Sequence, residues 1–225
     1  MRIVLTGGGT AGHVTPHLAL IPPLRQEGWD IHYIGSETGI ERELIGKVEG
    51  VTYHAVKTGK LRRYRDVKNL SDPFRVVAGV GQATHLIHTL KPNVVFSKGG
   101  YVAVPVVYGA AFNRVPVLIH ESDMTSGLAN RLSLPFAKVL MCTFPETVKE
   151  AGKKGLYVGA PIRRELLAGD RERGLKLFGF TSNRPVLLVV GGSLGAQAIN
   201  RAVRGALDDL TRCFQVLHIC GKGNL

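Results

Sequence analysis

The chain of 225 residues is 44% hydrophobic and 20% charged, a globular composition that excludes a disordered, collagen-like or coiled-coil protein. Its 29 Lys and Arg residues outnumber 17 Asp and Glu residues, and the net charge of +12 favours an anionic partner: nucleic acid, an anionic membrane face or a phosphate-bearing substrate. The three cysteines, Cys142, Cys213 and Cys220, lack metal or redox spacing, so we expect free thiols in a reducing compartment. The apolar start is too short for a secretion signal, and no apolar run reaches the roughly 20 residues of a spanning helix. We therefore expect an intracellular protein that is soluble or lies on a membrane surface.

Short apolar runs alternate with helical patterns through the first part of the chain. Strands are predicted at residues 3–6, 31–34, 51–56, 94–97, 117–120 and 139–143. A helix is predicted from about residue 14 to residue 27, where the pair Pro22-Pro23 should kink or end it. A second, long amphipathic helix is predicted from the apolar stripe between Val76 and Leu90. The alternation predicts a doubly wound α/β fold with a parallel sheet covered on both faces.

Two similar glycine-rich turns divide the chain. Gly-Gly-Thr-Ala-Gly at residues 8–12 and Gly-Gly-Ser-Leu-Gly at residues 191–195 each follow a predicted strand and open a helix that leads to another strand. We therefore predict two Rossmann-like domains, residues 1–162 and an incomplete domain at residues 163–225 that holds only its first βαβ unit. Two strands and a helix cannot bury a sheet face alone, so we expect a truncated chain.

The loops after the predicted strands carry the candidate chemistry. A glycine-rich turn at a helix N-terminus presents backbone N–H groups to an anion and lets it approach closely. Ligands of open parallel sheets bind beyond the carboxyl ends of the strands, where four such loops should meet. The residues expected to converge at this edge are His13, Lys98, Tyr101, His120, Glu121 and Asp123.

Two other functions fit parts of the sequence. Gly7-x-Gly9-x-x-Gly12 matches a dinucleotide fingerprint, and Glu37 lies where a ribose-binding acid would be, which makes an NAD-type oxidoreductase the main alternative. The loop at residues 191–195 lacks that glycine order. A basic nucleic-acid-binding module would suit the charge, but the aromatic-plus-basic motifs of RNA-binding proteins are missing, so we expect no nucleic-acid partner.

Five motifs together resemble a known enzyme family. They are Gly-Gly-Thr-Ala-Gly-His at residues 8–13, Lys-Gly-Gly-Tyr at 98–101, His-Glu-Ser-Asp at 120–123, Gly-Ala-Pro-Ile-Arg at 159–163 and Gly-Gly-Ser-Leu-Gly-Ala at 191–196. Their order resembles the MurG family of N-acetylglucosaminyltransferases over the whole chain. The resemblance implies a GT-B fold, with an N-terminal domain for the lipid-linked acceptor and a C-terminal domain for most of UDP-GlcNAc. Most of that second domain would be absent, so we expect these 225 residues alone to be inactive.

The resemblance also implies the reaction and its residues. GlcNAc would pass from UDP-GlcNAc, with inversion, to the C4 hydroxyl of MurNAc in lipid I, giving lipid II for peptidoglycan at the cytoplasmic face of the cell membrane. Catalytic roles are implied for His13, Glu121 and Asp123. Substrate contacts are implied for Thr10, Ala11, Gly12, Lys98, Gly99, Gly100, Tyr101, His120, Arg163, Ser193, Gly195 and Asn200.

Two positions depart from the family pattern. Ala11 stands where the family often has glycine, and Asp123 stands where many members have asparagine, so a neutral amide becomes a charged acceptor. The chain also lacks an Asp-x-Asp metal signature. We therefore expect no metal or other cofactor, with helix dipoles and an arginine stabilising the departing diphosphate.

A basic segment precedes an apolar helix face. Six cations fall within twelve residues, namely Lys57, Lys60, Arg62, Arg63, Arg65 and Lys68. Phe74 and Val77 follow one turn apart, beyond what a single core stripe needs. Cations attract anionic lipid and apolar side chains insert into it, so this segment predicts reversible docking on an anionic membrane.

Overall fold

A computed structural model of the chain describes residues 1–59, 68–192 and 194–225, with only the backbone described for residues 68–73. The chain divides into two compact units, Met1–Arg164 and Glu165–Leu225. Each unit contains a parallel β-sheet of its own.

In the described residues, the first unit is built on one parallel sheet of seven strands in the order β3-β2-β1-β4-β5-β6-β7. The strands are β1 (Arg2–Thr6), β2 (Asp30–Ser36), β3 (Val51–Val56), β4 (Val94–Ser97), β5 (Val117–Glu121), β6 (Val139–Cys142) and β7 (Gly155–Tyr157). The helices are α1 (Thr15–Gln26), α2 (Ile40–Ile45), α3 (Lys68–Leu90), α4 (Ala103–Phe112), α5 (Leu128–Ser133) and α6 (Pro145–Ala151). The strand order reverses between β1 and β4, which is the switch point where open parallel sheets bind ligands.

Alternate residues of the strands pack into two separate cores. Val4 of β1 joins one core with residues of α3 and α4, whereas its neighbours Ile3 and Leu5 join the other core with residues of α1 and α2. Successive strand side chains point to opposite faces, so both faces of the sheet are covered. The prediction of a doubly wound α/β fold, with a parallel sheet covered on both faces, is confirmed for the first unit.

Helix α1 continues through its two prolines. The sequence predicted that Pro22-Pro23 kinks or ends the helix, and the second alternative is wrong, because α1 runs on to Gln26 and the Glu27 amide donates to the Pro23 carbonyl. Both prolines are exposed, while Ile21 beside them is 2% exposed. Burial of Ile21 against the sheet favours the helix despite the two missing backbone donors.

The second unit contains a parallel pair of strands joined through two helices. Its elements are α7 (Arg171–Phe178), β8 (Val186–Val190), α8 (Gln197–Gly205), α9 (Leu207–Cys213) and β9 (Gln215–Ile219). Side chains on one face of β8 stay open to solvent, with Leu188 at 56% and Val190 at 52% exposure. Among the described residues of this unit, no hydrophobic side chain is buried.

In the part of the chain that the structure describes, no helix combines the length and the apolar character needed to cross a bilayer.

We predict that amide hydrogen exchange will be much faster in β8 and β9 than in β1, β4 and β5. The central strands lie between two buried cores, whereas β8 and β9 are supported by no buried apolar side chain among the residues described. Local opening should therefore require far less free energy in the second unit. Exchange followed by mass spectrometry on the 225-residue chain measures this difference, and equal protection of β8 and β1 would contradict the prediction.

Candidate functional site

Two glycine loops interlock at the carboxyl edge of the first unit's sheet. Gly9 follows β1 with a φ of +84°, and Gly99 and Gly100 follow β4 with φ of +85° and +81°. A Cβ on Gly100 would collide with the Gly8 carbonyl oxygen, and one on Gly9 would collide with the Tyr101 ring. Glycine is therefore required both for the backbone conformation and for the close approach of the two loops.

His13 lies beside these loops, in a short 3-10 turn (Ala11–His13) just before α1. Its Nδ1 atom is 2.9 Å from the Thr10 hydroxyl oxygen. Burial and then the Lys98 ammonium lower the pKa of His13, while the carboxylates of Glu121 and Asp123 and the Gly8 backbone raise it. Burial and the Lys98 charge therefore favour a neutral ring at His13.

Three further residues of the glycine loop after β1 lie at or near the surface. Thr10 and Gly12 are exposed, and Ala11 is half-buried. A ligand at the carboxyl edge can therefore reach the backbone of this loop.

Lys98 extends from the end of β4 toward the loop after β5. It is 2% exposed, and its ammonium donates to the Ser122 hydroxyl over 2.6 Å. Burial lowers the pKa of Lys98, and the carboxylates of Glu121 and Asp123 oppose that shift. The ammonium therefore ties two neighbouring loops together.

Both carboxylate oxygens of Glu121 are already accepting hydrogen bonds. Oε1 accepts from the backbone N–H of Ser122 at 2.8 Å and of Asp123 at 3.0 Å. Oε2 accepts from the Gly127 N–H at 3.0 Å and from the Asn130 amide at 2.8 Å. This geometry favours a role for Glu121 in holding the loop at residues 122–127, rather than in taking a proton from a substrate.

The other members of this motif divide between the interior and the surface. His120 is 1% exposed, and its Nε2 lies 2.9 Å from the Gly159 carbonyl oxygen. Asp123 is exposed at the edge, and its backbone carbonyl accepts from the Thr147 hydroxyl over 2.9 Å. The structure thus brings together the predicted site residues of the loops after β1, β4 and β5.

The predicted donor residues lie in other segments. Arg163 is exposed near the end of the first unit, and Ser193 lies outside the described residues. In the second unit, Gly195 has a φ of +77°, and a Cβ there would collide with the Cys220 carbonyl oxygen. Asn200 is 2% exposed, and its amide donates to that same carbonyl over 2.9 Å. Gly195 and Asn200 therefore build the turns of their own unit, and substrate contact by either remains a proposal.

Glu41 is the main residue that the sequence did not reveal. It is fully buried in α2, and its carboxylate accepts from the N–H of Gly9 at 3.2 Å and of Ser36 at 3.1 Å, as well as from the Ser36 hydroxyl. Its one signal in the sequence is its spacing, four residues before the buried Ile45 on the same helix face.

This carboxylate weighs against the dinucleotide alternative. It occupies the Gly9 N–H and places a negative charge against the glycine loop that would have to hold a pyrophosphate. Glu37, the proposed ribose-binding acid, is exposed beyond the end of β2. The first loop is therefore built differently from a pyrophosphate-binding turn.

Tyr33 and His17 are buried beneath the glycine loop that follows β1. The Tyr33 hydroxyl donates to the Gly7 carbonyl over 2.7 Å and lies 3.4 Å from Nδ1 of His17. His17 is fully buried, and burial, followed by the Lys98 charge, lowers its pKa to about 3. His17 is therefore a neutral ring in the folded protein at physiological pH.

Comparison with known proteins gives two family matches. The glycosyltransferase family 28 N-terminal domain matches residues 3–141, and the glycosyltransferase family 28 C-terminal domain matches residues 186–225. The first match alone covers more than half of the chain.

Individual relatives agree with these matches. The chain is 58% identical over all 225 residues to a UDP-N-acetylglucosamine–N-acetylmuramyl-(pentapeptide) pyrophosphoryl-undecaprenol N-acetylglucosamine transferase of Lachnoclostridium phytofermentans. It is 54% identical to the protein of the same name from Clostridium tetani, and it spans 63% of the length of each. The crystal structure of Acinetobacter baumannii MurG matches 99% of this chain and 59% of its own, with a TM-score of 0.70 and 26% identity. None of these matches supports an oxidoreductase.

We predict that His17 makes stability fall with acidity. Its pKa is about 3 in the folded chain, below the value near 6.5 of an unfolded chain, so the unfolded state binds the proton more readily. The stabilisation is complete above pH 6.5 and is lost as pH falls, by about 2 kcal/mol between pH 6 and pH 4.5. Urea unfolding at several pH values in this range measures the loss for the wild type and for His17→Phe. A variant with the same pH slope as the wild type would contradict the prediction, since the other buried histidines are common to both.

Proposed function

The chain belongs to glycosyltransferase family 28, and we propose that it takes part in the transfer of GlcNAc from UDP-GlcNAc to the C4 hydroxyl of MurNAc in lipid I, forming lipid II. Relatives at 54% and 58% identity are named as N-acetylglucosamine transferases that act on UDP-N-acetylglucosamine and N-acetylmuramyl-(pentapeptide) pyrophosphoryl-undecaprenol. The observation that carries the proposal is a neutral His13 at the carboxyl edge, between two interlocked glycine loops and the exposed Asp123. The reaction would serve peptidoglycan synthesis at the cytoplasmic face of the cell membrane.

In the proposed mechanism, His13 is the general base. Its ring takes the proton of the acceptor hydroxyl while the hydroxyl oxygen attacks the anomeric carbon of GlcNAc. The bond from that carbon to the UDP oxygen breaks, and its electron pair leaves on the diphosphate. Attack on the face opposite UDP inverts the anomeric configuration. A lowered pKa keeps the lone pair of His13 available at neutral pH.

We assign the lipid-linked acceptor to the first unit and most of the UDP-sugar to the second, with a further contact to the diphosphate from Arg163 at the end of the first unit. The exposed guanidinium of Arg163 and the glycine turn that includes Ser193 suit a diphosphate, because both present N–H donors to anionic oxygens. Asp123 would accept a hydrogen bond from an acceptor hydroxyl, since its carboxylate is exposed at the carboxyl edge of the sheet. No metal takes part in this scheme.

We predict that His13→Ala lowers kcat by about 10²-fold or more, because the acceptor hydroxyl loses its base. The measurement is transfer from UDP-GlcNAc to lipid I by a chain extended to the length of its relatives. His85→Ala is the matched control, since His85 is an exposed residue of α3 outside the site. Activity of His13→Ala within threefold of the wild type would remove His13 from the mechanism.

Calorimetry on the same extended chain tests the function itself. Binding of UDP-GlcNAc without binding of NADH is the expected result. Binding of NADH alone would replace the proposal with the oxidoreductase alternative.

We also propose that the protein is peripheral and docks on an anionic membrane. Phe74 and Val77 of α3 are 79% and 72% exposed, so this helix presents apolar side chains to solvent. Of the six predicted cations, Lys57 is an exposed residue; Lys60, Arg62, Arg63 and Arg65 lie outside the described residues, as does the side chain of Lys68. Each cation near an anionic leaflet contributes about 1 kcal/mol, and each inserted apolar side chain adds roughly 1.5–3 kcal/mol.

We predict that the chain sediments with anionic vesicles and that salt releases it, because salt screens the attraction of the cations. Changing Arg62, Arg63 and Arg65 to Glu should abolish binding. Changing Arg171, Arg173 and Lys176 of α7 to Glu is the matched control with the same change in charge, and it should leave binding intact. Equal binding to neutral and anionic vesicles, or equal loss in both triple variants, would contradict docking through this segment.

A further inference from the structure

One buried cation, Lys98, lies among three histidines of the candidate site. Burial is the largest cause of the lowered pKa of His13, His17 and His120, and the charge of Lys98, a residue only 2% exposed, lowers all three further. The ammonium donates to the Ser122 hydroxyl over 2.6 Å. The ammonium is therefore turned inward instead of facing solvent. The Lys98 loop packs against the rings, since a Cβ on Gly7 would lie 3.0 Å from Cε1 of His17 and 3.1 Å from Cβ of Lys98, and a Cβ on Gly100 would lie 3.2 Å from Nδ1 of His13.

Hydrogen bonding independently indicates that the two buried rings are neutral. Nε2 of His120 lies within hydrogen-bond distance of the Gly159 carbonyl oxygen, and the buried Nδ1 of the same ring has no partner among the described residues. His17 has Nδ1 near the Tyr33 hydroxyl, and within the same described part its buried Nε2 has no partner. A protonated imidazole carries an N–H at both nitrogens and needs two acceptors. In the described part of the chain, no acceptor faces the other nitrogen of either ring, so that nitrogen carries a lone pair instead of a proton.

His13 differs from these two rings because it borders the open edge. It is half-buried, and its Nδ1 lies 2.9 Å from the Thr10 hydroxyl. The charged groups that act on it are Lys98 on one side and the carboxylates of Glu121 and Asp123 on the other. Those carboxylates favour a proton on His13, and burial, followed by the Lys98 ammonium, opposes them.

We propose that Lys98 is a positioning residue for the proposed transfer, whose ammonium fixes the loop at residues 122–127 through Ser122 and keeps His13 unprotonated so that its lone pair can accept the acceptor's proton. The proposal rests on the proposed function for its chemical meaning. Lys98 does not touch the reacting atoms in this scheme; it acts through His13 and Ser122. Glu121 contributes by holding the same loop from the other side.

NMR titration of the histidine rings in the 225-residue chain tests this directly. Lys98→Met removes the charge while filling similar space, and the pKa of His13 should rise by about half a unit or more. Lys98→Gln is a second uncharged variant, which keeps the test decisive if the methionine variant does not fold. Lys98→Arg keeps the charge and should leave His13 close to its wild-type value.

Ser122→Ala separates the charge from the hydrogen bond. It removes the partner of the ammonium but not the ammonium, so the pKa of His13 should stay low while the amide signals of the loop at residues 122–127 shift. An unchanged His13 pKa in both uncharged variants would overturn the proposal, as would a rise in Lys98→Arg equal to that in Lys98→Met.

A kinetic measurement on the extended chain links the titration to catalysis. In Lys98→Met, the acidic limb of the kcat/KM profile should move to higher pH by the same amount as the His13 titration, because both report loss of the neutral base. A limb that stays in place while His13 titrates higher would overturn the positioning role. Failure of the wild-type extended chain to transfer GlcNAc would instead refute the proposed function. The titration would still show whether Lys98 lowers the pKa of His13.

Discussion

Two buried carboxylates hold the loops on which the candidate site depends. Glu41 accepts from the backbone of the first glycine loop and of the end of β2, and Glu121 accepts from three backbone amides of the loop after β5. A carboxylate without such partners is very costly to bury. Each loop conformation and the burial of its glutamate therefore stabilise one another, and neither is available alone.

The glycine contacts join these separately anchored loops into one arrangement. Gly100 packs on the Gly8 carbonyl, and Gly9 packs on the Tyr101 ring, so the loops after β1 and β4 cannot shift independently. Lys98 extends the connection to Ser122 in the loop after β5. The position of His13 is thus set by contacts that run across three strands, and only its own 3-10 turn is local.

The sequence predicted the sheet and its edge because these depend on short-range patterns. Apolar runs, glycine turns and their order can be read from the sequence. They were sufficient to predict that the loops of His13, Lys98 and Glu121 meet at one edge of the sheet. Glu41 was not predictable in the same way, since its partners Gly9 and Ser36 come from different loops and leave no local pattern. In helix α1 a local pattern was misleading. Proline disfavours a helix interior, yet α1 includes Pro22 and Pro23 because burial of Ile21 stabilises it. The resemblance suggested Glu121 for catalysis, yet its four hydrogen bonds favour a structural role that a motif alone does not reveal.

The net charge of the chain does not predict which charged groups lie at the candidate site. A net charge of +12 indicates an anionic partner but does not locate it. At the carboxyl edge, the buried ammonium of Lys98 interacts with the carboxylates of Glu121 and Asp123, and burial, together with that ammonium, lowers the pKa of His13, His17 and His120. A base at this edge must be uncharged to accept a proton, whereas a diphosphate is stabilised by positive charge. Burial of the Lys98 ammonium in the loop after the neighbouring strand keeps positive charge off the proposed base, while the proposed contacts to the diphosphate come from Arg163 and the turn that includes Ser193.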